Sequence, residues 1–189
     1  HERHHHGEVG RPGVAGEADD EGGMNGLSLC AGIEGIGLGL RLAIPDYRII
    51  AYCEIDPFCQ DTLCRRMDDG WLDRAPIWPD VKTFDGHRWR GLVDLVSAGF
   101  PCTPFSSAGK RRGVADPRHL WPDIARIIGE CGPDCVFLEN VPPLLTTPTP
   151  DGRTAFQVVS DDLHGMGYGV AAGLFTAAEV GAPHRRQRL

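Results

Sequence analysis

The segment that decides the fold class is Leu27-Ser28-Leu29-Cys30-Ala31-Gly32-Ile33-Glu34-Gly35-Ile36-Gly37-Leu38-Gly39. Its first four residues form a short, mainly apolar run typical of a buried strand, and the glycines mark a turn into a helix that ends near Ala43. A second strand is predicted over residues 47–54. The helix that follows has Asp56 as its N-cap and Pro57 at its first position, which is the favoured arrangement.

The same alternation of strands and helices continues along the chain. Further strands are predicted just before Asp80 and over residues 92–97, 135–138 and 168–175. Further helices are predicted over residues 57–67, 120–130 and 156–166. Strands that alternate with helices form parallel sheets covered on both faces. We therefore predict an α/β fold with an open, doubly wound, mainly parallel sheet.

Composition and charge narrow the class of protein. The chain has 189 residues and a net charge of −7, the wrong sign for a simple nucleic-acid-binding module, although an enzyme with local basic patches stays open. No apolar run reaches the roughly 18 residues that span a membrane. The seven cysteines are odd in number and lack disulfide-framework spacing, so a reducing, cytoplasmic location is expected. Cys131 and Cys135 lack a second ligand pair nearby, and no metal site is predicted.

The chain divides into two parts by composition. Residues 1–23 are rich in Gly, His and acidic residues and poor in apolar ones, so they are predicted to be disordered. Residues 24–189 are predicted to form one domain. This domain contains two basic patches, Lys110–Arg112 and His184–Arg188, which are surface runs unless other features give them a function.

The glycine turn and two later carboxylates predict a nucleoside site. The turn does not have G-x-G-x-x-G spacing, and Glu34 within it is expected to repel a pyrophosphate. Glu54 follows Gly32 by 22 residues at the end of the second strand, where such folds place a carboxylate on ribose hydroxyls. Asp80, on the same sheet edge, is placed to take an adenine amino group. S-adenosylmethionine fits this pattern; turn glycines with surface carboxylates are the alternative.

Two further residues at strand ends are candidates for chemistry. Cys102 lies between Pro101 and Pro104, so it cannot lie inside a helix and its thiol is presented from a stiff loop. Glu139 closes the apolar run 135–138, and partial burial there would raise the pKa of its carboxyl group, which suits proton donation near pH 7. The alternatives are an inert buried cysteine and an exposed strand-end glutamate.

These motifs together resemble those of the DNA (cytosine-5)-methyltransferase family. The Pro101-Cys102 loop with Phe105-Ser106 is similar to the nucleophile motif, and Glu139-Asn140-Val141 is similar to the family's ENV motif. The segment 182–188 resembles the Q-x-R-x-R motif, with His184 in place of Gln.

The cofactor motifs of the family also have counterparts, with two departures. The turn at residues 29–37 resembles the first motif, with Cys30 where an aromatic residue is commoner and Glu34 where Gly is common. Glu54 and Asp80 match the second and third cofactor positions. The resemblance extends from Gly26 to Leu189.

The resemblance implies a Rossmann-like S-adenosylmethionine-dependent methyltransferase fold, S-adenosylmethionine as cofactor, and DNA with a flipped target cytosine as partner. The implied catalytic residues are Cys102, Glu139, Arg186 and Arg188. The implied cofactor-binding residues are Cys30, Ala31, Gly32, Gly35, Glu54, Ile55, Asp80, Val81, Gly99 and Pro101. The implied DNA-binding residues are Ser106, Lys110 and Arg111.

The chemistry implied by the resemblance is a methyl transfer through a covalent adduct. The Cys102 thiolate would add to cytosine C6, which makes C5 nucleophilic enough to take the methyl group from the sulfonium. Glu139 would protonate or hydrogen-bond N3, while Arg186 and Arg188 would hold the O2 edge and orient Glu139. Loss of the C5 proton and elimination of the thiolate would restore aromaticity.

Three alternatives remain from the sequence. The family's target-recognition region and last motif have no counterpart here, so the catalytic domain is expected to be incomplete at its C terminus or to be completed by a second chain. An RNA (tRNA) cytosine-5 methyltransferase would have a similar motif set. A non-catalytic fragment that binds cofactor or a partner chain is the third alternative.

Overall fold

The computed structural model describes residues 23–101 and 120–189, and the fold is built on one parallel sheet. The five strands are β1 Asn25–Leu29, β2 Arg48–Cys53, β3 Ile77–Trp78, β4 Leu95–Gly99 and β5 Cys135–Glu139. They lie in the order β3-β2-β1-β4-β5, and all four neighbouring pairs are parallel. The chain therefore reverses its direction of winding between β1 and β4, and open α/β sheets bind ligands at this crevice.

Helices cover both faces of the sheet. The four helices are α1 Gly35–Ala43, α2 Pro57–Asp68, α3 Trp121–Cys131 and α4 Ala155–Gly165. Leu40 of α1 and Leu63 of α2 pack in one buried cluster, whereas Ile124 of α3 and Val159 of α4 pack in the other. The prediction of a doubly wound α/β fold is confirmed.

Local sequence signals explain how several helices begin and end. The Asp56 carboxylate accepts hydrogen bonds from the first turn of α2, with Pro57 at the first position as predicted. In α3 the buried residues recur with helical spacing, and Gly132 ends the helix in the left-handed conformation with a φ of 64°.

The predicted strand over residues 168–175 is wrong. Only Phe175–Thr176 (β6) forms a strand, paired antiparallel with Gln187–Arg188 (β7). Within the part of the chain that the structure describes, β5 is an edge strand, and residues 168–174 find no strand to pair with. An extended segment becomes a strand only when a neighbour accepts its backbone hydrogen bonds, and sequence propensity alone does not provide one.

Several predicted features lie outside the described residues. These are Cys102, Ser106, Lys110 and Arg111, together with all of the segment 1–23 except Gly23. Among the described helices, none is both long enough and apolar enough to cross a membrane.

Candidate active site

A pocket of about 460 Å³ lies at the carboxyl ends of β1, β2 and β4. Eight of the ten predicted cofactor-binding residues line it: Cys30, Gly32, Glu54, Ile55, Asp80, Val81, Gly99 and Pro101. Five lining residues were not predicted from the sequence: Cys53, Asp56, Cys59, Lys82 and Leu120. The other two predicted residues, Ala31 and Gly35, do not line the pocket. The Ala31 N–H donates to the Cys53 carbonyl, and Gly35 begins α1.

The turn between β1 and α1 forms one wall of this pocket. Cys30, Gly32 and Glu34 all adopt positive φ, at 52°, 55° and 63°. Glycine takes this conformation without strain, whereas Cys30 and Glu34 each pay a steric cost. The resulting tight turn directs the Gly32 N–H toward the second strand.

The Glu54 carboxylate accepts the hydrogen bond from the Gly32 N–H. Its Oε2 accepts a hydrogen bond from Gly32 N at 2.7 Å, and its Oε1 accepts one from Asp56 N at 2.8 Å. Glu54 is only 8% exposed, so both bonds fix the carboxylate in one orientation at the pocket wall. Each carboxylate oxygen has more than one lone-pair site, which leaves acceptor capacity for ligand hydroxyl groups.

Carboxylates give the pocket an acidic character. Besides Glu54, the lining includes Asp56 and Asp80, and Asp80 caps a 3-10 turn at Val81–Thr83 by accepting from Lys82 N at 2.9 Å. Burial, as the largest cause, and the nearby charges of Glu54 and Asp80 together raise the pKa of Cys30 to about 12. This thiol is therefore neutral at physiological pH.

The structure places Glu34 beneath the turn and not in the pocket. Its side chain is fully buried and does not line the pocket, and its expected repulsion of a pyrophosphate stays a prediction. The side chain caps α1, accepting from Gly37 N at 2.7 Å and from the Ser28 hydroxyl at 2.6 Å. The left-handed φ of Glu34 turns the side chain inward, and this backbone conformation has no signature in the sequence.

A second group of residues lies beside the pocket at the end of β5. Glu139 Oε1 forms an ion pair with Nε of Arg188, and the two side chains are 33% and 28% exposed. The other oxygen, Oε2, lies 3.5 Å from the position that a Cβ on Gly99 would occupy. Because Gly99 lines the pocket and pairs with Glu139 across β4 and β5, the Glu139 carboxylate lies beside the pocket at the end of β4.

The structure joins only one of the two predicted arginines to Glu139. Arg186 is exposed, and the contacts described for it are made by its backbone: its carbonyl accepts from Ala177 N, and its N–H donates to His184 Nδ1. The predicted pairing of both arginines around Glu139 is therefore seen for Arg188 alone among the described contacts.

Asn140 is a positioning residue that the sequence reasoning did not assign. It is 4% exposed, and its Nδ2 donates to the Phe100 carbonyl at 3.0 Å while its Oδ1 accepts from Val141 N at 2.9 Å. Its backbone exchanges two hydrogen bonds with Leu189, at 2.9 and 3.0 Å. Asn140 thus ties the end of β5 to both Phe100 and the arginine segment. Its sequence signal is its place in the segment that resembles the ENV motif, which gave it no role of its own.

Trp121 packs against the ring of Phe100. The two rings lie 5.7 Å apart, and the Trp121 indole N–H donates to Asp162 Oδ2 at 2.7 Å. These contacts fix the backbone on which Pro101 and then Cys102 follow. In the sequence, Trp121 is no more than an apolar position in a helix.

Comparison with known proteins agrees with this arrangement. Residues 24–189 match the model of the C-5 cytosine-specific DNA methylase family. The chain belongs to this family. It is 35% identical over 163 residues to type II methyltransferase M.NgoMIV of Neisseria gonorrhoeae, a match that covers 86% of this chain and 49% of the relative. It is 36% identical over 164 residues to M.NlaX of Neisseria lactamica, covering 86% and 50%.

The chain thus spans about half the length of the curated relatives it matches. Among solved structures it is similar to S. pombe Dnmt2 methyltransferase, with a TM-score of 0.67 and 21% identity. That match covers 87% of this chain and 49% of the other, and it bears out the predicted methyltransferase fold.

Proposed function

We propose that this chain binds S-adenosylmethionine and supplies the catalytic half of a DNA cytosine-5 methyltransferase. The observation that carries the proposal is the juxtaposition at the end of β4. The pocket with Glu54 lies on one side of Gly99, and the Glu139–Arg188 pair lies on the other. Pro101, which directly precedes Cys102, lines the same pocket.

The residues of the pocket fit S-adenosylmethionine by their chemistry. Glu54 presents an oriented carboxylate for ribose hydroxyls, and Ile55 and Val81 offer apolar surface to a purine ring. The acidic lining suits a cationic ligand and disfavours a phosphate-bearing one. When bound, the cofactor supplies an electrophilic methyl group on its sulfonium. Cys30 and Ile55 would lie against it, and Asp80 would accept its adenine amino group.

The catalytic residues would act on the cytosine. The Cys102 thiolate would form a bond to C6, and Glu139 would share a proton with N3 as charge develops on the ring. Arg188 holds the Glu139 carboxylate through its ion pair, so it would orient that group toward the base. Loss of the C5 proton and departure of the thiolate would complete the substitution. Arg186 would contact the base edge from the same segment.

The proposal extends to the partners. Ser106, Lys110 and Arg111 would contact DNA phosphates, and a further polypeptide segment would supply target recognition, on this chain or on a second one. The edge strand β5 supports such docking: Phe137 on it is 46% exposed, and Phe175 nearby is 67% exposed. The type II names of the relatives favour a restriction-modification role. The described cysteines are all free, which suits the cytoplasm.

DNA is the substrate that the family description supports. The likeness to Dnmt2 is at 21% identity and reflects the fold, so it does not favour an RNA substrate.

The test is covalent trapping. Residues 1–189 would first be titrated with S-adenosylmethionine by calorimetry, and then incubated with it and a random-sequence pool of DNA duplexes containing 5-fluorocytosine. We expect cofactor binding and a denaturation-resistant protein–DNA adduct that Cys102→Ser abolishes and that Cys64→Ser, on the exposed side of α2, retains. Binding without an adduct would assign this chain alone a non-catalytic, cofactor-binding role. Absence of cofactor binding would refute the proposal.

A further inference from the structure

Glu34 is a buried carboxyl group that the proposed reaction does not use. It is fully buried, and its φ of 63° lies in the left-handed region that favours glycine. Both features are costly, since a carboxyl group loses its hydration and a side chain with a Cβ is strained at this φ. Specific contacts must offset the lost hydration of the carboxyl group and the strain of the backbone.

The compensating contacts join the two elements on either side of the cofactor turn. Oε2 accepts from the hydroxyl of Ser28 in β1 at 2.6 Å, and Oε1 accepts from the N–H of Gly37 in α1 at 2.7 Å. The turn between these two anchors contains Cys30 and Gly32, which line the pocket. The Glu34 side chain therefore closes the base of the loop that forms the pocket wall.

The Glu34 carboxyl group occupies the space that a side chain at position 37 would need, and glycine leaves that space free. A Cβ at position 37 would lie 2.4 Å from Glu34 Oε1 and 2.4 Å from Cδ1 of Ile49, so any larger residue would displace the carboxyl group. The closeness of this fit shows that α1 is packed directly against the Glu34 side chain. Movement of Glu34 would therefore move the start of the helix as well.

Other polar groups surround the carboxyl group in the same layer. Ser97 pairs with Ser28 across the β1–β4 register, and the Tyr47 hydroxyl lies over Gly26, two residues before Ser28. The Ser97 and Tyr47 hydroxyl oxygens are both buried. Burial raises the pKa of Glu34, and the hydrogen bonds from Ser28 and Gly37 oppose that shift.

We propose that Glu34 is a positioning residue for the cofactor: by tying Ser28 to Gly37 it sets the turn so that the Gly32 N–H meets Glu54 and Cys30 lines the pocket. Arg66 of α2 supports the same turn from outside, since its Nη1 donates to the Ile33 carbonyl. This inference rests on the proposed function, because the ligand that the turn serves is S-adenosylmethionine.

The experiment compares two substitutions of Glu34. Glutamine keeps both contacts, because its carbonyl oxygen can accept from Gly37 and its amide can donate to Ser28; the dissociation constant for S-adenosylmethionine should stay within about threefold of wild type. Glycine relieves the strained φ but removes the tie. Its dissociation constant should rise roughly tenfold or more, the scale of losing one hydrogen bond to a charged group.

Asp94→Ala is the matched control. Asp94 also ties a carboxylate to a backbone N–H, that of Asn25 at 2.7 Å, but this contact is at the first residue of β1 and Asp94 does not line the pocket. Its removal should lower the midpoint of thermal unfolding and leave cofactor affinity unchanged. All titrations are made well below the lowest midpoint, and the amide resonance of Gly32 is followed by NMR in each variant.

The outcomes separate the possible roles. Glu34→Gly should shift the Gly32 resonance and weaken cofactor binding. In Glu34→Gln both the resonance and the affinity should stay close to those of the wild-type protein. If Glu34→Gly only lowers the unfolding midpoint, with resonance and affinity unchanged, Glu34 is merely structural and the proposal is wrong. If Glu34→Gly does not fold, Ser28→Ala removes the strand half of the tie and must weaken binding. Wild-type protein that fails to bind cofactor would refute the proposed function, while the Gly32 resonance would still test the positioning role.

Discussion

Replacing Glu54 by alanine should weaken S-adenosylmethionine binding by about 1.5–3 kcal/mol, the scale of a hydrogen bond to a charged group. This loss corresponds to a roughly 10- to 150-fold rise in the dissociation constant. The reason is geometric: two backbone N–H groups hold the carboxylate, so it reaches ligand hydroxyls without losing conformational freedom on binding. Isothermal titration calorimetry at a temperature where the variant is folded measures the effect.

The same substitution removes the acceptor of Gly32 N and of Asp56 N, and this second effect must be separated from the first. Each N–H that stays out of water without a partner costs about 1–3 kcal/mol of stability. The free energy of unfolding of both proteins is therefore measured in urea beside the titrations. A variant that is destabilised but mostly folded still reports ligand affinity faithfully.

A comparison of ligands isolates the ribose contact. Wild-type protein should bind the demethylated cofactor more tightly than its 2′,3′-dideoxy analogue, and Glu54→Ala should bind the two with similar affinity. The ligand preference of the wild-type protein and that of Glu54→Ala form a double-mutant-type thermodynamic cycle. The difference between the two preferences is the coupling energy of the carboxylate–ribose contact. If Glu54→Ala lowers the affinity for both ligands by the same factor, Glu54 acts only through the turn at Gly32. The proposed contact with the ribose would then be wrong.

Two further predictions concern the other side of the site and the thiols. Arg188→Ala frees the Glu139 carboxylate from its ion pair, so formation of the 5-fluorocytosine adduct should slow at least roughly tenfold. The affinity for the cofactor, measured by calorimetry, should stay unchanged. A loss of both adduct formation and cofactor affinity would contradict the proposal that Arg188 acts on Glu139 and not on the cofactor pocket. Burial raises the pKa of Cys30 and of Cys53 to about 12, so only roughly one molecule in ten thousand is a thiolate at pH 8. Mass spectrometry should find iodoacetamide on the exposed Cys64 well before either of them, and equal labelling would be inconsistent with these environments.

The features that the sequence predicts well are those set by neighbours along the chain. The helix start at Asp56 and Pro57 is a local signal, and so is the spacing from Gly32 to Glu54 across one strand–helix–strand unit. By contrast, the contact of Arg188 with Glu139 depends on how β7 meets β5, and the sequence supports it only through resemblance to a family.

Two features could not be predicted from the sequence, and the physical reason is the same for both. The strand over residues 168–175 failed because pairing is decided by a neighbour, not by the propensity of the segment itself. The burial of Glu34 beneath the turn was not predicted because one backbone dihedral decides on which side of the turn a side chain lies. Position in a motif gives proximity to a site, but the direction of a side chain comes from the fold.

The end of β4 separates the pocket lined by Glu54 from the Glu139–Arg188 ion pair. A Cβ on Gly99 would lie 3.3 Å from Cδ1 of Ile36 and 3.5 Å from Glu139 Oε2, so glycine keeps this strand end thin between the cofactor turn and the Glu139 carboxylate. Asn140 then holds the carbonyl of Phe100, the next residue, and Trp121 packs against its ring. In the proposed reaction the methyl donor and the cytosine would approach from the two sides of this strand end. The backbone that separates them also leads to Cys102, so a shift at Phe100 would disturb donor, acceptor and nucleophile together.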